Sequence, residues 1–216
     1  IDVSSINFGT NEKLEDYCNV YSTYKRLLDR ERLFDFATIQ ELFLKEMNSN
    51  PEFKKNIRDD YSYFLIDEYQ DVNNIQDNIF KSLSSPEFNL TVVGDDDQSI
   101  YAFRGSNVEY IQHFTKWFQD IGVDCKTDIL SVNYRSTRSI VALSNEILTS
   151  TKYSRVNKNL RAKSESKSAL PVAEHFDSDI DEAQFICDSI RELYDLKIIN
   201  SYSEVGILFR SVKNHA

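Results

Sequence analysis

Phe64-Leu65-Ile66-Asp67-Glu68-Tyr69-Gln70-Asp71 is an apolar run that ends on two consecutive carboxylates. The run reads as a strand, Tyr63–Asp67, with Asp67 and Glu68 delivered to its C-terminal tip. Phosphoryl-transfer motors use that pairing: one carboxylate holds Mg²⁺, and its neighbour orients or deprotonates the attacking water. An Asp-Glu turn after a strand is also a common structural feature. The pair alone leaves both readings open.

Working outward, four more runs read as strands: Leu90–Gly94, Asp128–Val132, Val172–Phe176 and Val205–Phe209. Between them lie stretches with helical spacing: Val72, Ile75, Ile79 and Leu83; Val108, Ile111, Phe114 and Phe118; Ile140, Leu143 and Ile147. A last helix turns Ile180, Ala183, Cys187, Ile190 and Tyr194 inward and opens on a capping box from Asp179 to Glu182. Strands alternating with helices predict an α/β fold with parallel strands, and ligands beyond the carboxyl ends of those strands. Upstream the grammar is helical. Leu14, Tyr17, Tyr21, Tyr24 and Leu28 form one face; Asp35 caps a second helix with Phe36, Ile39, Phe43 and Met47 inward; Pro51 opens a third with Phe53 and Ile57.

Two further strand ends carry polar chemistry. Val92-Val93-Gly94-Asp95-Asp96-Asp97-Gln98-Ser99-Ile100-Tyr101-Ala102-Phe103-Arg104-Gly105 places a neutral amide, Gln98, where it could sense a terminal phosphate by hydrogen bonding. Tyr101 and Phe103 could serve as stacking platforms for bases. A solvated aspartate turn or an adventitious Ca²⁺ site, with the aromatics as core, is the other reading. Leu130-Ser131-Val132-Asn133-Tyr134-Arg135-Ser136-Thr137 ends on an aromatic and a guanidinium before a helix capped by Ser136 or Thr137. Tyrosine can stack on a nucleobase and arginine can neutralise a phosphate bidentately.

In this order and spacing the three stretches resemble motifs II, III and IV of superfamily 1 DNA helicases of the UvrD/Rep/PcrA type. Asp35-Phe36, Lys158-Asn159-Leu160, Asp181-Glu182-Ala183 and Ile207-Leu208-Phe209-Arg210-Ser211 are similar to flanking pieces of that family. The resemblance implies parts of two RecA-like domains with parallel sheets and a helical N-terminal lead-in, 1–126 for the first and 127–216 for the second. It also implies ATP and Mg²⁺ as cofactors, single-stranded and duplex DNA as partners, and 3′-to-5′ translocation in DNA repair or replication. Asp67, with Glu68 beside it, would hold Mg²⁺, and Glu68 would be the catalytic base. Gln98 would contact the γ-phosphate. Tyr101, Phe103 and Arg104 would lie along the single-strand path. Tyr134 would stack on adenine, and Arg135 would reach the γ-phosphate. Phe103 stands where the family usually has Trp, Ala102 where Gly is common, and Tyr69 where Phe is common.

No Gly-Lys-Ser or Gly-Lys-Thr occurs, and none of the five glycines is placed to build a phosphate-cradling loop. The chain therefore reads as a helicase piece that starts after that loop and is inactive by itself. A piece of a RecB-type helicase–nuclease, a non-hydrolysing DNA- or partner-binding module, and a metal-dependent nuclease are the alternatives. The net charge of −10 argues against a nonspecific grip on DNA, although net charge ignores distribution. Lys152, Arg155, Lys158, Arg161, Lys163 and Lys167, with Glu165 among them, lie in a polar stretch, Thr151–Leu170, that reads as a solvated loop, with phosphate contact by its basic residues as the other reading. Cys18, Cys125 and Cys187 are odd in number and unpaired by spacing, which fits a reducing, intracellular setting. The first ten residues lack the character of a signal peptide. No run of eighteen apolar residues suggests a membrane span. His113, His175 and His215 match no ligand spacing.

Overall fold

A computed structural model describes residues 12–151, 153–163 and 169–209. The expectations for residues 1–11, Lys152, Glu165, Lys167, Arg210, Ser211 and His215 lie outside the described residues. The chain divides into two compact units. One takes in the chain up to Val132 together with Asn145–Leu160; the other takes in Asn133–Ser144 and the chain from Arg161 on. Among the described residues no helix is long and apolar enough to cross a membrane.

The first unit opens with α1 (Glu12–Glu31), α2 (Phe36–Ser49) and α3 (Pro51–Asp60). Cys18, Tyr21, Lys25 and Leu28 make the half-buried face of α1. Asp35 caps α2 as its sequence position suggests, accepting from the Thr38 amide at 2.6 Å. The Tyr24 hydroxyl, donating to the same carboxylate at 2.7 Å, and the Thr38 amide hold it down at about 2. Asn50 caps α3 with Pro51 at the first helical position. Met47 is buried, but the expectation for the start of α2 fails: Phe36 is 85% exposed and Ile39 is exposed too. Lys25 reaches the Thr38 hydroxyl and Glu41, each at 3.1 Å, so Thr38 takes the inward position there.

Next come β1 (Phe64–Ile66), α4 (Asn74–Ser84) and β2 (Leu90–Val92). β1 and β2 pair in parallel with Phe64 opposite Leu90 and Ile66 opposite Val92. The pairing runs past both strands: Val93 donates to Ile66 O at 2.8 Å and Tyr69 to Val93 O at 2.9 Å. The two chain segments therefore leave the sheet side by side, which sets up the site. Asn73 and Gln76 form a capping box for α4; of the face its spacing implies, Ile79 and, just before the helix, Val72 are buried, while Ile75 and Leu83 are half-buried. The helix expected over 108–118 breaks at His113 into α5 (Glu109–Gln112) and α6 (Phe114–Asp120). Phe114 and Phe118 join Tyr69, Phe88 and Trp117 in an aromatic cluster with ring centroids 4.7–6.4 Å apart.

The remaining elements are β3 (Val132–Asn133), α7 (Arg138–Ser150), β4 (Arg161–Ala162) and α8 (Asp179–Asp195). β3 pairs with β4, with Lys163 donating to Asn133 O at 2.7 Å. Several expectations are corrected here. Of Asp128–Val132 only Val132 is strand, and 172–176 and 205–209 carry no regular structure, so the parallel sheet amounts to β1 and β2. β4 falls inside the stretch expected to be loop. On α7 the buried residue is Val141, with Ile140, Leu143 and Ile147 exposed. On α8 the half-buried face is Ile186, Ser189, Ile190 and Leu193, while Ile180, Ala183, Cys187 and Tyr194 are exposed. Ser178, one residue earlier than expected, caps α8 through the Asp181 amide at 3.2 Å.

Candidate functional site

The two segments leaving the β1–β2 sheet form the centre of the site. Asp67 follows β1 and accepts from the Glu68 amide at 2.9 Å through its own Oδ1. Glu68 takes the left-handed conformation, φ 53° and ψ 43°, which turns the chain into the 3₁₀ turn Tyr69–Asp71. That region disfavours a residue with a Cβ and recurs at functional sites. Both carboxylates are exposed to solvent. Tyr69 anchors the turn from below, fully buried, its hydroxyl donating to Asp77 Oδ1 at 2.6 Å. Lys81 completes that buried pair from one helical turn away, at 2.7 Å from Asp77.

Gln70 joins the two tips. It is 2% exposed; its Nε2 donates to Glu68 Oε2 at 2.7 Å and its Oε1 accepts from the Asp95 amide at 3.0 Å. Gly94 is what lets Gln70 fit. A Cβ there would stand 2.5 Å from Gln70 Oε1, 2.7 Å from Ile111 Cδ1 and 3.0 Å from the Tyr69 amide nitrogen. Close backbone approach explains this glycine at a strand end.

The aspartates after Gly94 are neither a solvated turn nor an open cation site. Lys158 Nζ lies against Asp95 and Asp96 and 3.1 Å from Asp97, in the place a cation would take. Arg155 holds Asp97 with both arms of its fork, at 2.9 and 2.5 Å. Burial pushes the Asp95 and Asp96 carboxyls up, but hydrogen bonds from Lys158 and its neighbours outweigh it and leave both below the ordinary carboxylate value. Burial likewise pushes the Lys158 ammonium down, and hydrogen bonds to the aspartates outweigh that and leave it raised. The expectation of a solvated loop is thus wrong for Arg155 and Lys158. Gln98, in the turn Asp96–Gln98, is exposed and donates from Nε2 to Asp95 Oδ2 at 2.7 Å.

Past this turn, Tyr101, Phe103 and Arg104 form an aromatic–cationic group in which Tyr101 is half-buried and the other two are exposed. Phe103 is 78% exposed, so it is not core. The Arg104 guanidinium sits 4.9 Å from the Tyr101 ring centroid and 5.5 Å from that of Phe103.

Tyr134 and Arg135 belong to the other unit. Asn133 Oδ1 accepts from the amides of Arg135 at 3.0 Å and Ser136 at 2.7 Å, a tight turn that leads into α7. Tyr134 is 77% exposed and Arg135 is exposed. The first unit therefore unites Asp67, Glu68 and Gln98 in one hydrogen-bonded network with Tyr101, Phe103 and Arg104 nearby in sequence. Tyr134 and Arg135 share a turn of their own.

Sequence reasoning missed Gln70, Gly94, Arg155 and Lys158. A glycine at a strand end was a readable signal; Lys158 stood out only as part of a family-like piece, and nothing pointed to the partners of either basic residue, which lie about sixty positions away in the chain. For a divalent ion, Asp67 and Glu68 supply hard carboxylate oxygens at an open strand tip. That donor set suits Mg²⁺, which keeps most of its waters and shares the rest of its shell with phosphates.

The UvrD/REP helicase N-terminal domain model matches residues 3–119, and the UvrD-like helicase C-terminal domain model matches residues 129–216. A putative ATP-dependent DNA helicase, YjcD, of Bacillus subtilis (strain 168) is 36% identical over 194 residues, covering 89% of this chain and 24% of the relative. DNA helicase II of Escherichia coli (strain K12) is 33% identical over 196 residues, 89% of this chain and 26% of its own length. ATP-dependent DNA helicase PcrA of Staphylococcus aureus (strain NCTC 8325 / PS 47) is 33% identical over 193 residues, with 89% and 25% covered. The chain spans about a quarter of the length of these relatives.

Proposed function

Since this chain belongs to the UvrD/REP helicase family, we propose that it carries part of the ATP site and part of the single-strand track of an ATP-dependent DNA helicase moving 3′ to 5′. One observation supports this most: the parallel pairing of β1 and β2, continued past their ends, joins the Asp67–Glu68 tip to the Asp95–Gln98 tip through Gln70. A carboxylate able to take a proton and an amide able to read a phosphate then sit on one rigid frame.

Asp67 and Glu68 would hold Mg²⁺, which when bound neutralises charge on the transferring phosphoryl oxygens. Glu68 orients the attacking water and accepts its proton. Gln98 donates an amide hydrogen to the terminal phosphate and, through the turn that follows, ties its presence to Tyr101, Phe103 and Arg104. Those three take single-stranded bases by stacking, with Arg104 adding charge toward the backbone. Tyr134 stacks on adenine, and Arg135 offers its planar fork to the γ-phosphate. The lobes of this motor would divide near residue 126.

The test is Glu68→Gln in the full-length protein. The amide keeps the shape but cannot take a proton, so turnover falls by a factor of 100 or more, on the order expected for loss of a general base. Nucleotide and DNA affinities stay nearly constant. A variant that unwinds duplex at the normal rate removes Glu68 from the role of base.

A further inference from the structure

We propose that Lys158 is a positioning residue for this site: through Asp95 it holds Gln98, and through Asp95 and Gln70 it holds Glu68, so that phosphate sensor and base stay in one register. The inference rests on the function proposed above. Lys158 lies about sixty residues from the turn it grips, its side chain is 11% exposed, and it touches all three aspartates. Each contact beyond Lys158 is a direct one. Asp95 Oδ2 receives Gln98 Nε2, and the Asp95 amide donates to Gln70 Oε1. Gln70 Nε2 donates in turn to Glu68 Oε2.

Three adjacent carboxylates in a partly buried turn repel one another. Arg155 answers only Asp97 through its hydrogen bonds, while the Val156 amide at 2.7 Å and the Gln112 amide at 3.2 Å answer Asp96. Asp95 depends on Lys158 for its neutralising charge. Without it Asp95 swings toward water, where it is best solvated, and Gln98 loses its anchor. The Asp95 amide shifts with the turn, so Gln70 and Glu68 lose their reference at the same time. A stretch that looks like loop in the sequence is a strap across the site.

The experiment is steady-state ATPase of the full-length protein, with and without single-stranded DNA, for Lys158→Met, Lys158→Arg, Asp95→Asn and Glu68→Gln. Lys158→Met is expected to lower DNA-stimulated kcat by at least about tenfold, since misplacement by an ångström costs on the order of a hundredfold. KM for ATP should stay within about twofold, because no ATP contact is removed. Lys158→Arg keeps the charge and recovers most of the rate. If Lys158→Met does not fold, Asp95→Asn weakens the same link from its other end, by removing the carboxylate charge that Lys158 grips, and should show the same loss of kcat. Adding Lys158→Met to Gln98→Ala should lower the rate little further, as expected for residues acting as a unit. Normal kcat in folded Lys158→Met or Asp95→Asn, beside an inactive Glu68→Gln, overturns this inference and leaves the proposed function standing. Full additivity with Gln98→Ala also overturns it. Normal turnover in Glu68→Gln brings down the functional reading itself, and this inference with it.

Discussion

Glu68 sits at φ 53° and ψ 43°, a conformation that costs an L-residue about 1–2 kcal/mol. The surroundings hold it there: its amide is taken by Asp67, its side chain by Gln70, and the next residue, Tyr69, is locked under it. Tyr69 departs from the family's usual Phe, and Asp77 gives the reason. The buried hydroxyl is one of two donors to a buried carboxylate, the other being Lys81. Tyr69→Phe removes a hydrogen bond to a charged group and should destabilise the protein by about 2 kcal/mol in urea unfolding. No loss at all would mean that Lys81 alone satisfies Asp77. Gly94→Ala should cost about 1–3 kcal/mol, because one of the atoms in its way is main chain and cannot swing aside. Phe103 behaves oppositely. Its ring is open to solvent, so Phe103→Ala should leave stability within about 0.5 kcal/mol and weaken single-stranded DNA by about 1–3 kcal/mol. A drop in Tm with unchanged DNA affinity would return Phe103 to a packing role. At this scale the sequence singles out the carboxylates after β1 and the polar turn after β2, and the structure joins those two stretches. The residues that hold them, Gln70 and Lys158, were not legible, because a positioning role shows only once its partners are in place.

Among the elements, the strap around Arg155–Lys158 and the turn Asp96–Gln98 hold each other by charge, which makes their union depend on pH. The folded state lowers the Asp95 and Asp96 carboxyls and raises the Lys158 ammonium. Stability from depressed carboxyls is complete above their ordinary titration range and is lost as pH falls through their folded values. Stability from a raised lysine is complete below its ordinary range and is lost as pH rises through its folded value. The contribution is therefore whole between about pH 4 and pH 10. Wild type should exceed Lys158→Met by about 3 kcal/mol in urea unfolding at pH 7, and the gap should shrink below about pH 4. A gap of the same size at pH 3 would show that packing by the lysine stem is responsible. Helix positions were largely legible from periodicity and caps, since those signals are local. Helix rotation was not. α7 carries apolar residues on more than one face, and Asn145 chooses among them: its amide donates to Leu160 O at 2.7 Å and accepts from Leu160 N at 3.3 Å. With Asn145 turned to that segment, Val141 and Leu148 pack while Ile140 and Ile147 face out. α8 offers the same ambiguity, and a different stripe from the expected one packs.

For the whole molecule, a sheet is less readable than a helix because a strand exists only once something pairs with it. Leu208 is 97% exposed in a run whose composition reads as strand, while Phe64–Ile66, of similar composition, is strand because Leu90–Val92 pairs with it. The same dependence applies to catalysis. Under the proposed function these 216 residues would supply a base, a metal-binding carboxylate, a phosphate-sensing amide and an arginine, but they hold no glycine-rich turn with a lysine to cradle phosphates. Positioning of that kind supplies about 7–11 kcal/mol in well-oriented reactions. Losing even half of it slows turnover by roughly several hundredfold or more, at about 1.4 kcal/mol per tenfold. The chain by itself should accordingly show no DNA-stimulated ATP hydrolysis, even where Tyr101 and Phe103 still bind a single strand. The measurement is phosphate release by the purified chain with Mg²⁺, ATP and oligothymidine, beside fluorescence anisotropy of the same oligonucleotide. Anisotropy that responds to Phe103→Ala, with phosphate release at the buffer rate, is the expected result. Robust DNA-stimulated release that disappears in Glu68→Gln would mean that these residues position phosphates by a device other than a phosphate-binding loop.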